Sequence, residues 1–234
     1  MKSWLVPAAA ALAGGVIGGG AVLALADARG SSGSGDVRAY LLAHPEVIPE
    51  AMQRLQQKEA GGAVAANRAA IVTPFGSAWA GNPQGDVTLV EYYDYNCGYC
   101  RASLPLIRQL IARDPKLRVV FRELPILAES SRSAARISLA AAAQGKFAAF
   151  HDALYAGGRV SDQSIAAAAR TAGVDTASLG ALAPRIDAEI GRNMDIAGKL
   201  GLSGTPSWVV GDRILSGALP IEELEAAIAE ARRS

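Results

Sequence analysis

Cysteine is scarce in this chain: among 234 residues there are two, Cys97 and Cys100. That scarcity excludes a small cystine-stapled scaffold, and the ~200 residues of the main body suffice to bury a full core without one. It also argues against structural zinc, which takes four ligands, usually from cysteine and histidine. There is no third cysteine, and the two histidines, His44 and His151, stand at no metal-ligand spacing from the pair. An excess of one charge is missing as well. The 23 Lys and Arg nearly cancel 22 Asp and Glu, so no strong basic balance argues for nucleic acid. A clean heptad run is absent from the N-terminal part, which sets a coiled coil aside.

What the chain does have is one organising stretch, Val87-Thr88-Leu89-Val90-Glu91-Tyr92-Tyr93-Asp94-Tyr95-Asn96-Cys97-Gly98-Tyr99-Cys100. Its first half reads as a strand: β-branched and aromatic residues without Gly or Pro, entered from a Gly85-Asp86 turn signal. Its second half sets two cysteines three apart where a helix begins. From Arg101 to Arg113 the residues Leu104, Ile107, Leu110 and Ile111 recur at helical spacing. The unpaired N–H groups and dipole of that helix favour a thiolate at Cys97. Cys100, one turn on, is placed to close a disulfide and release a bound substrate. A purely structural bridge here would close a very short loop, where chain entropy contributes least. Redox chemistry is the stronger reading.

The start of the chain is set aside before fold reasoning. Lys2 precedes an uncharged run from Ser3 to Ala26, and Ala24-Leu25-Ala26 is a small-residue cleavage site. Residues 1–26 are therefore an export signal or an uncleaved anchor. Pro7 to Ala26 approaches the ~20 residues that span a bilayer, and the Gly-rich run from Gly14 to Gly20 suits helix packing in lipid. Cleavage is favoured. On either reading the remainder is exported, to the periplasm or another extracytoplasmic compartment where disulfides persist. It is soluble after cleavage or tethered through the anchor.

Residues 27–35 form a flexible Gly/Ser linker. The 36–70 segment reads as helices: a short one from Asp36 to about His44, then one starting at Pro45 with Val47, Ile48, Ala51, Met52 and Leu55 along one side. Gly61-Gly62 is expected to break it, with a further helix over Ala63 to Ala70. This apolar stripe must be buried somewhere, against the main domain or in a homo-oligomer. Residues 71–129 supply an edge strand between Ile71 and Asn82, the central strand, the Cys100–Arg113 helix and a strand over Leu117 to Glu123, a βαβ unit with parallel pairing. The 130–200 region is helical throughout: Ser131 to Ala143, Phe147 to Tyr155, Ser161 to Ala172, a short segment capped by Asp175, and Pro184 to Leu200. Its Phe147, Phe150 and Tyr155 are core candidates, and His151 reads as a half-buried or surface residue. In 201–234, Trp208-Val209-Val210 and Ile214-Leu215-Ser216 flank a Gly211-Asp212 turn as a hairpin, before a last helix near Pro220. The fold class is α/β, a mixed central sheet of four or five strands with a large helical insertion and a short N-terminal helical segment.

In this order, Glu91 to Cys100 and Gly204-Thr205-Pro206-Ser207 resemble the active-site strand, redox pair and cis-proline loop of the DsbA-like thioredoxin family. The resemblance covers about Gly85 to Arg232, insertion included. Tyr40-Leu41-Leu42-Ala43-His44-Pro45-Glu46-Val47-Ile48 is similar to the N-terminal part of the copper-tolerance-linked ScsC subgroup, some of whose members assemble into disulfide-shuffling trimers. The resemblance implies a thioredoxin fold, with no cofactor and no metal. It makes Cys97 a solvent-facing nucleophile and Cys100 a more buried resolving thiol of raised pKa. It places a cis Thr205–Pro206 bond beside them, leaving the Thr205 backbone to pair with substrate. Glu91 matches a buried family acid that accepts the Cys100 proton, and is otherwise a salt-bridged strand residue. Asp94 is expected to be exposed, opposing the thiolate slightly. Tyr95, Tyr99 and Trp208 are candidates for an apolar rim receiving unfolded polypeptide, or else ordinary packing. The family's strongly oxidising members carry Pro and His between the cysteines, whereas this chain has Gly98 and Tyr99, which bring no positive charge. That departure implies isomerase or reductase work on misoxidised exported proteins, with a membrane redox partner. A disulfide-forming oxidase is the alternative. A Cu(I)- or polypeptide-binding protein is the alternative of another class.

Overall fold

The computed structural model describes residues 36–233, so the signal or anchor over 1–26 and the linker over 27–35 lie outside the described residues. The chain divides into two compact units, 1–56 and 57–234. In the first, α1 runs over 36–43 and α2 (Val47–Val72) begins. Val37, Tyr40, Leu42, Ile48, Met52 and Leu55 are all exposed there.

Within the second unit α2 continues to Val72 without a break. The expected interruption at Gly61-Gly62 does not occur, and the boundary expected at residue 71 falls inside the helix. Two mid-helix glycines cost ~1 kcal/mol each relative to alanine. Burial of Val64 and Ile71 contributes about as much or more apiece, and both are almost fully covered. Gly61 also lies close to Asp212, to which Arg68 is paired.

Five strands form one sheet in the order β1-β3-β2-β4-β5. These are β1 (Trp79–Gly81), β2 (Val87–Tyr93), β3 (Leu117–Glu123), β4 (Ser207–Val210) and β5 (Arg213–Ser216). The expected edge strand is the short β1, antiparallel to β3. β2 and β3 are parallel across α3 (Gly98–Arg113), while β4 runs antiparallel to β2 and β5 to β4. Gly211 turns the last hairpin at φ +57°, a conformation that glycine adopts without a Cβ penalty.

Strand periodicity sorts the two faces. Leu89, Tyr93, Leu117, Val119, Phe121, Trp208 and Val210 join a core with α3, α4 (Glu129–Ala143), α5 (Phe147–Ala156), α6 (Asp162–Thr171) and α8 (Ile221–Ala231). Val90, Tyr92, Val120 and Val209 face the other way, onto Val64 and Ile71 of α2 and Ile196 and Ala197 of α7 (Leu179–Lys199). The insertion is thus α4–α7. Its last helix starts five residues before Pro184, the position expected to open it. On the α2 face the buried Arg122 pairs with Glu189. It donates to the Ile71 carbonyl at 3.1 Å and also to the carbonyls of Ala70 and Thr73, satisfying the end of α2.

Candidate active site

Cys97 is the N-cap of α3, in extended conformation, and its Sγ accepts the Cys100 backbone N–H at 3.3 Å. A sulfur in this position receives the contact that stabilises an anion at a helix N-terminus. On its other side the Cys97 thiol donates to the Thr205 carbonyl at 3.2 Å, and the Thr205–Pro206 bond is cis. The sulfur is less open than a solvent-facing nucleophile was expected to be: Cys97 is 6% exposed. Cys100 is covered further, and burial, followed by the negative charge of Glu91, pushes its thiol well above the usual range.

Glu91 shares the sheet face of Leu89 and Tyr93, which turns it toward α3. Its carboxylate accepts from Ser103 Oγ at 2.8 Å, and burial raises its pKa from 4.5 to about 8. No ion pair holds Glu91 among the described residues, so it is not a salt-bridged strand residue. Ser103 Oγ lies equally near the Cys100 carbonyl, at 2.7 Å. One hydroxyl proton serves one acceptor at a time, so the bond to Glu91 competes with a bond inside the helix.

Several expectations are corrected here. Asp94 is buried rather than exposed, encircled by donors. Tyr95 is buried too, its hydroxyl 2.9 Å from Ser138 Oγ and 3.0 Å from His151 Nδ1. His151 itself is inside, against Phe147, Tyr93 and Tyr155, and burial lowers its pKa to about 3. Trp208 is fully buried and donates from its indole to the Gly217 carbonyl at 3.0 Å. Neither Tyr95 nor Trp208 lies on a rim. Aromatic rings with a polar end enter a core when that end finds a partner, and a single sequence does not show such partners.

Tyr99 does lie outside, 67% exposed, and Gly98 has open space where a Cβ would point. Sequence reasoning missed Ser103, Asn96, Ser131, Ile126 and Leu127. It also missed Glu123, a buried carboxyl bonded by the Tyr93 hydroxyl and raised by burial to about 8. Strand alternation was the one available signal for Glu123, since it occupies the position on β3 aligned with Tyr93.

A thiol at a helix N-terminus, a second thiol one turn behind it and a buried carboxyl beneath them can pass a disulfide to or from an external chain. The class so defined is the thioredoxin-fold thiol–disulfide oxidoreductases. Within it, the chain belongs to the DsbA-like family: residues 88–229 match the DSBA-like thioredoxin domain, and residues 37–60 match the copper resistance protein ScsC N-terminal domain. Solved structures agree. A thioredoxin-like oxidoreductase from Silicibacter pomeroyi is 42% identical, with 72% of this chain and 99% of that one covered at a TM-score of 0.67. A linker-deletion variant of Proteus mirabilis ScsC is 30% identical over 83% and 90% of the two chains, at 0.66. The thiol-disulfide exchange protein α-DsbA2 from Wolbachia pipientis is 28% identical over 75% and 97%, at 0.68. Two curated relatives, Na(+)/H(+) antiporters NhaA from Salinispora tropica and Salinispora arenicola, are each 33% identical over 156 residues. The match spans 24% of their length. No helix among the described residues is long and apolar enough to cross a membrane.

Proposed function

We propose that this oxidoreductase is exported and acts as an isomerase or reductase on wrongly paired cysteines of other exported proteins, kept reduced by a membrane partner. The observation that carries the reading is the lack of a cation between the cysteines. Gly98 and Tyr99 supply none, and Arg101 is engaged elsewhere, donating to the Gly158 carbonyl with its guanidinium 6.0 Å from the Tyr155 ring centre. A thiolate without that support leaves the Cys97–Cys100 disulfide more stable and hence less oxidising.

In the forward step the Cys97 thiolate attacks one sulfur of a substrate disulfide. The substrate S–S bond breaks, one substrate thiolate leaves and a mixed disulfide forms. Isomerisation follows when a different substrate thiolate attacks the substrate sulfur of the mixed disulfide, forming a new substrate S–S bond and releasing Cys97 as thiolate. Attack by the thiolate just freed only restores the original pairing. Reduction follows when Cys100 loses its proton to Glu91 and attacks Cys97 Sγ, releasing the second substrate thiolate and leaving the enzyme oxidised. With its pKa raised to about 8 Glu91 is mostly protonated at neutral pH, and the minor ionised form, more basic than an ordinary carboxylate, is the one that takes the thiol proton. The Thr205 backbone, beside Cys97 Sγ, aligns an extended substrate chain.

The exposed apolar residues of 36–56 support assembly into a homo-oligomer, since such a stripe is stabilised by cover. The test is refolding of a disulfide-scrambled protein by the mature chain and by a form beginning at Gln57, which keeps the buried Val64 and Ile71. Unscrambling by the mature chain alone supports an isomerase assembled through 36–56. If both forms oxidise a reduced substrate and neither unscrambles, the protein is a disulfide-forming oxidase.

A further inference from the structure

Asp94 is a buried carboxylate that the exchange steps leave unused. Its Oδ1 accepts from the Asn96 backbone N–H at 2.8 Å and from Ser131 Oγ at 2.7 Å. Its Oδ2 accepts from the backbone N–H groups of Ile126 and Leu127, at 2.9 and 3.0 Å. Ser131 Oγ in turn accepts from Asn96 Nδ2 at 2.9 Å and from the Ala128 backbone at 3.2 Å. One side chain therefore ties the loop entering Cys97 to the segment that leaves β3.

The segment so held is unusual in what it exposes. Ile126 is 40% and Leu127 52% exposed, and through Asp94 their backbone is tied to Asn96, the residue before Cys97. Two adjacent aliphatic side chains left about half open, on a backbone fixed by a buried carboxylate, leave apolar surface that this protein's own core does not cover. Their place is set by the sheet. β2 and β3 are parallel and end together, Tyr93 against Glu123, whereas β4 begins with Ser207 against Tyr92. Cys97 follows β2, so Ile126 and Leu127 lie on one flank of it and Thr205–Pro206 on the other.

We propose that Asp94 is a positioning residue: it locks Ile126 and Leu127 into an apolar shelf beside Cys97 that holds an extended polypeptide substrate with an aliphatic or aromatic residue next to its cysteine. This rests on the exchange role of Cys97, and it deepens that reading by naming the substrate's chemistry. The Thr205 backbone aligns the chain on one flank, and the shelf grips a side chain on the other.

The experiment compares saturation by an unfolded polypeptide disulfide with the second-order reaction of a small aromatic disulfide, which needs no shelf. The variants are Asp94→Asn, Ile126→Ser with Leu127→Ser, and all three together. Asparagine keeps one acceptor oxygen and turns an N–H₂ toward donors, freeing the shelf. Each set is expected to raise KM for the polypeptide about tenfold, equal to ~1.4 kcal/mol, with kcat and the small-disulfide rate within about twofold of the parent. The triple variant is expected to add little to either. Equal losses with both substrates, or an Ile126/Leu127 variant with unchanged KM, overturns the shelf. The Ile126/Leu127 variant alters only exposed side chains, so it decides the matter even if Asp94→Asn fails to fold. A parent that reacts with the small disulfide but shows no saturation by polypeptide also overturns the shelf while the exchange chemistry stands. Small-disulfide reactivity surviving in Cys97→Ser would instead overturn the role of Cys97.

Discussion

Replacing Glu91 with glutamine tests the buried carboxyl from two sides. Its pKa rises from 4.5 to about 8 on folding because the charged form loses its water. Below 4.5 the group is neutral in both states and adds no pH dependence. Between 4.5 and 8 the unfolded chain ionises while the folded one holds its proton, so stability falls as pH rises through this window. At pH 7 the penalty is about 3 kcal/mol, and above pH 8 it levels off at ~5 kcal/mol. Glutamine removes it, less ~1 kcal/mol for an amide N–H₂ left without a full set of partners. Urea unfolding of reduced protein should therefore find Glu91→Gln ~1 kcal/mol less stable than its parent below pH 4.5, where only the amide cost remains, with the two curves crossing as pH rises. They should separate by ~2 kcal/mol in favour of the variant at pH 7. The same variant should release substrate from the mixed disulfide about a hundredfold more slowly, as expected for loss of a positioned base. A stability difference that does not change with pH would refute the assignment of a neutral buried carboxyl. An unchanged release rate would refute its part in proton transfer.

Cys100→Ser should accumulate a mixed disulfide with substrate through Cys97, seen by mass spectrometry of the trapped adduct; trapping by Cys97→Ser instead would reverse the two roles. Arg122→Met leaves the buried Glu189 with only the half-exposed Arg192 as an ion partner and removes the donor to the Ala70, Ile71 and Thr73 carbonyls; it should cost ~3–5 kcal/mol in urea unfolding, part of it recovered when Glu189→Met is added. Gly76 sits at φ +55°, and a Cβ there would lie 2.3 Å from the Ala142 carbonyl oxygen. Gly76→Ala should accordingly destabilise by about 2 kcal/mol, read as a Tm drop of ~4–8 °C.

Much of the architecture could be read from the sequence because its signals are local. The β-branched run into Cys97, the helical spacing after Cys100, Ser161 as a cap and the Gly211-Asp212 turn each act over a few residues, and each element formed where expected. The misreadings share a cause, which is dependence on distant partners. Gly61-Gly62 reads as a break until Val64 and Ile71 find a core to enter. Asp94 reads as exposed until Ser131 and the N–H groups of Ile126 and Leu127 come round to it, more than thirty residues on. Tyr95 and Trp208 are amphipathic side chains whose polar atoms find partners in the core, at Ser138 and the Gly217 carbonyl, while His151 is matched at Nδ1 by Tyr95 and its Nε2 is buried without a partner. Local pattern sets the elements, and long-range polar matching decides which polar residues they bury.

The two positions between the cysteines have a consequence for how such a protein changes over time. Gly98 adjoins open space and Tyr99 points outward, so nothing in the core constrains either side chain. The residues nearest the reactive sulfurs are then also among the freest to mutate without loss of folding. Selection can move this scaffold between donating and withdrawing disulfides through two codons, while Glu91 and Ser103 keep the machinery beneath them in place. A library randomised at 98 and 99 should yield mostly folded proteins spread across a range of redox potentials, which makes this dipeptide the natural dial for an engineer as well.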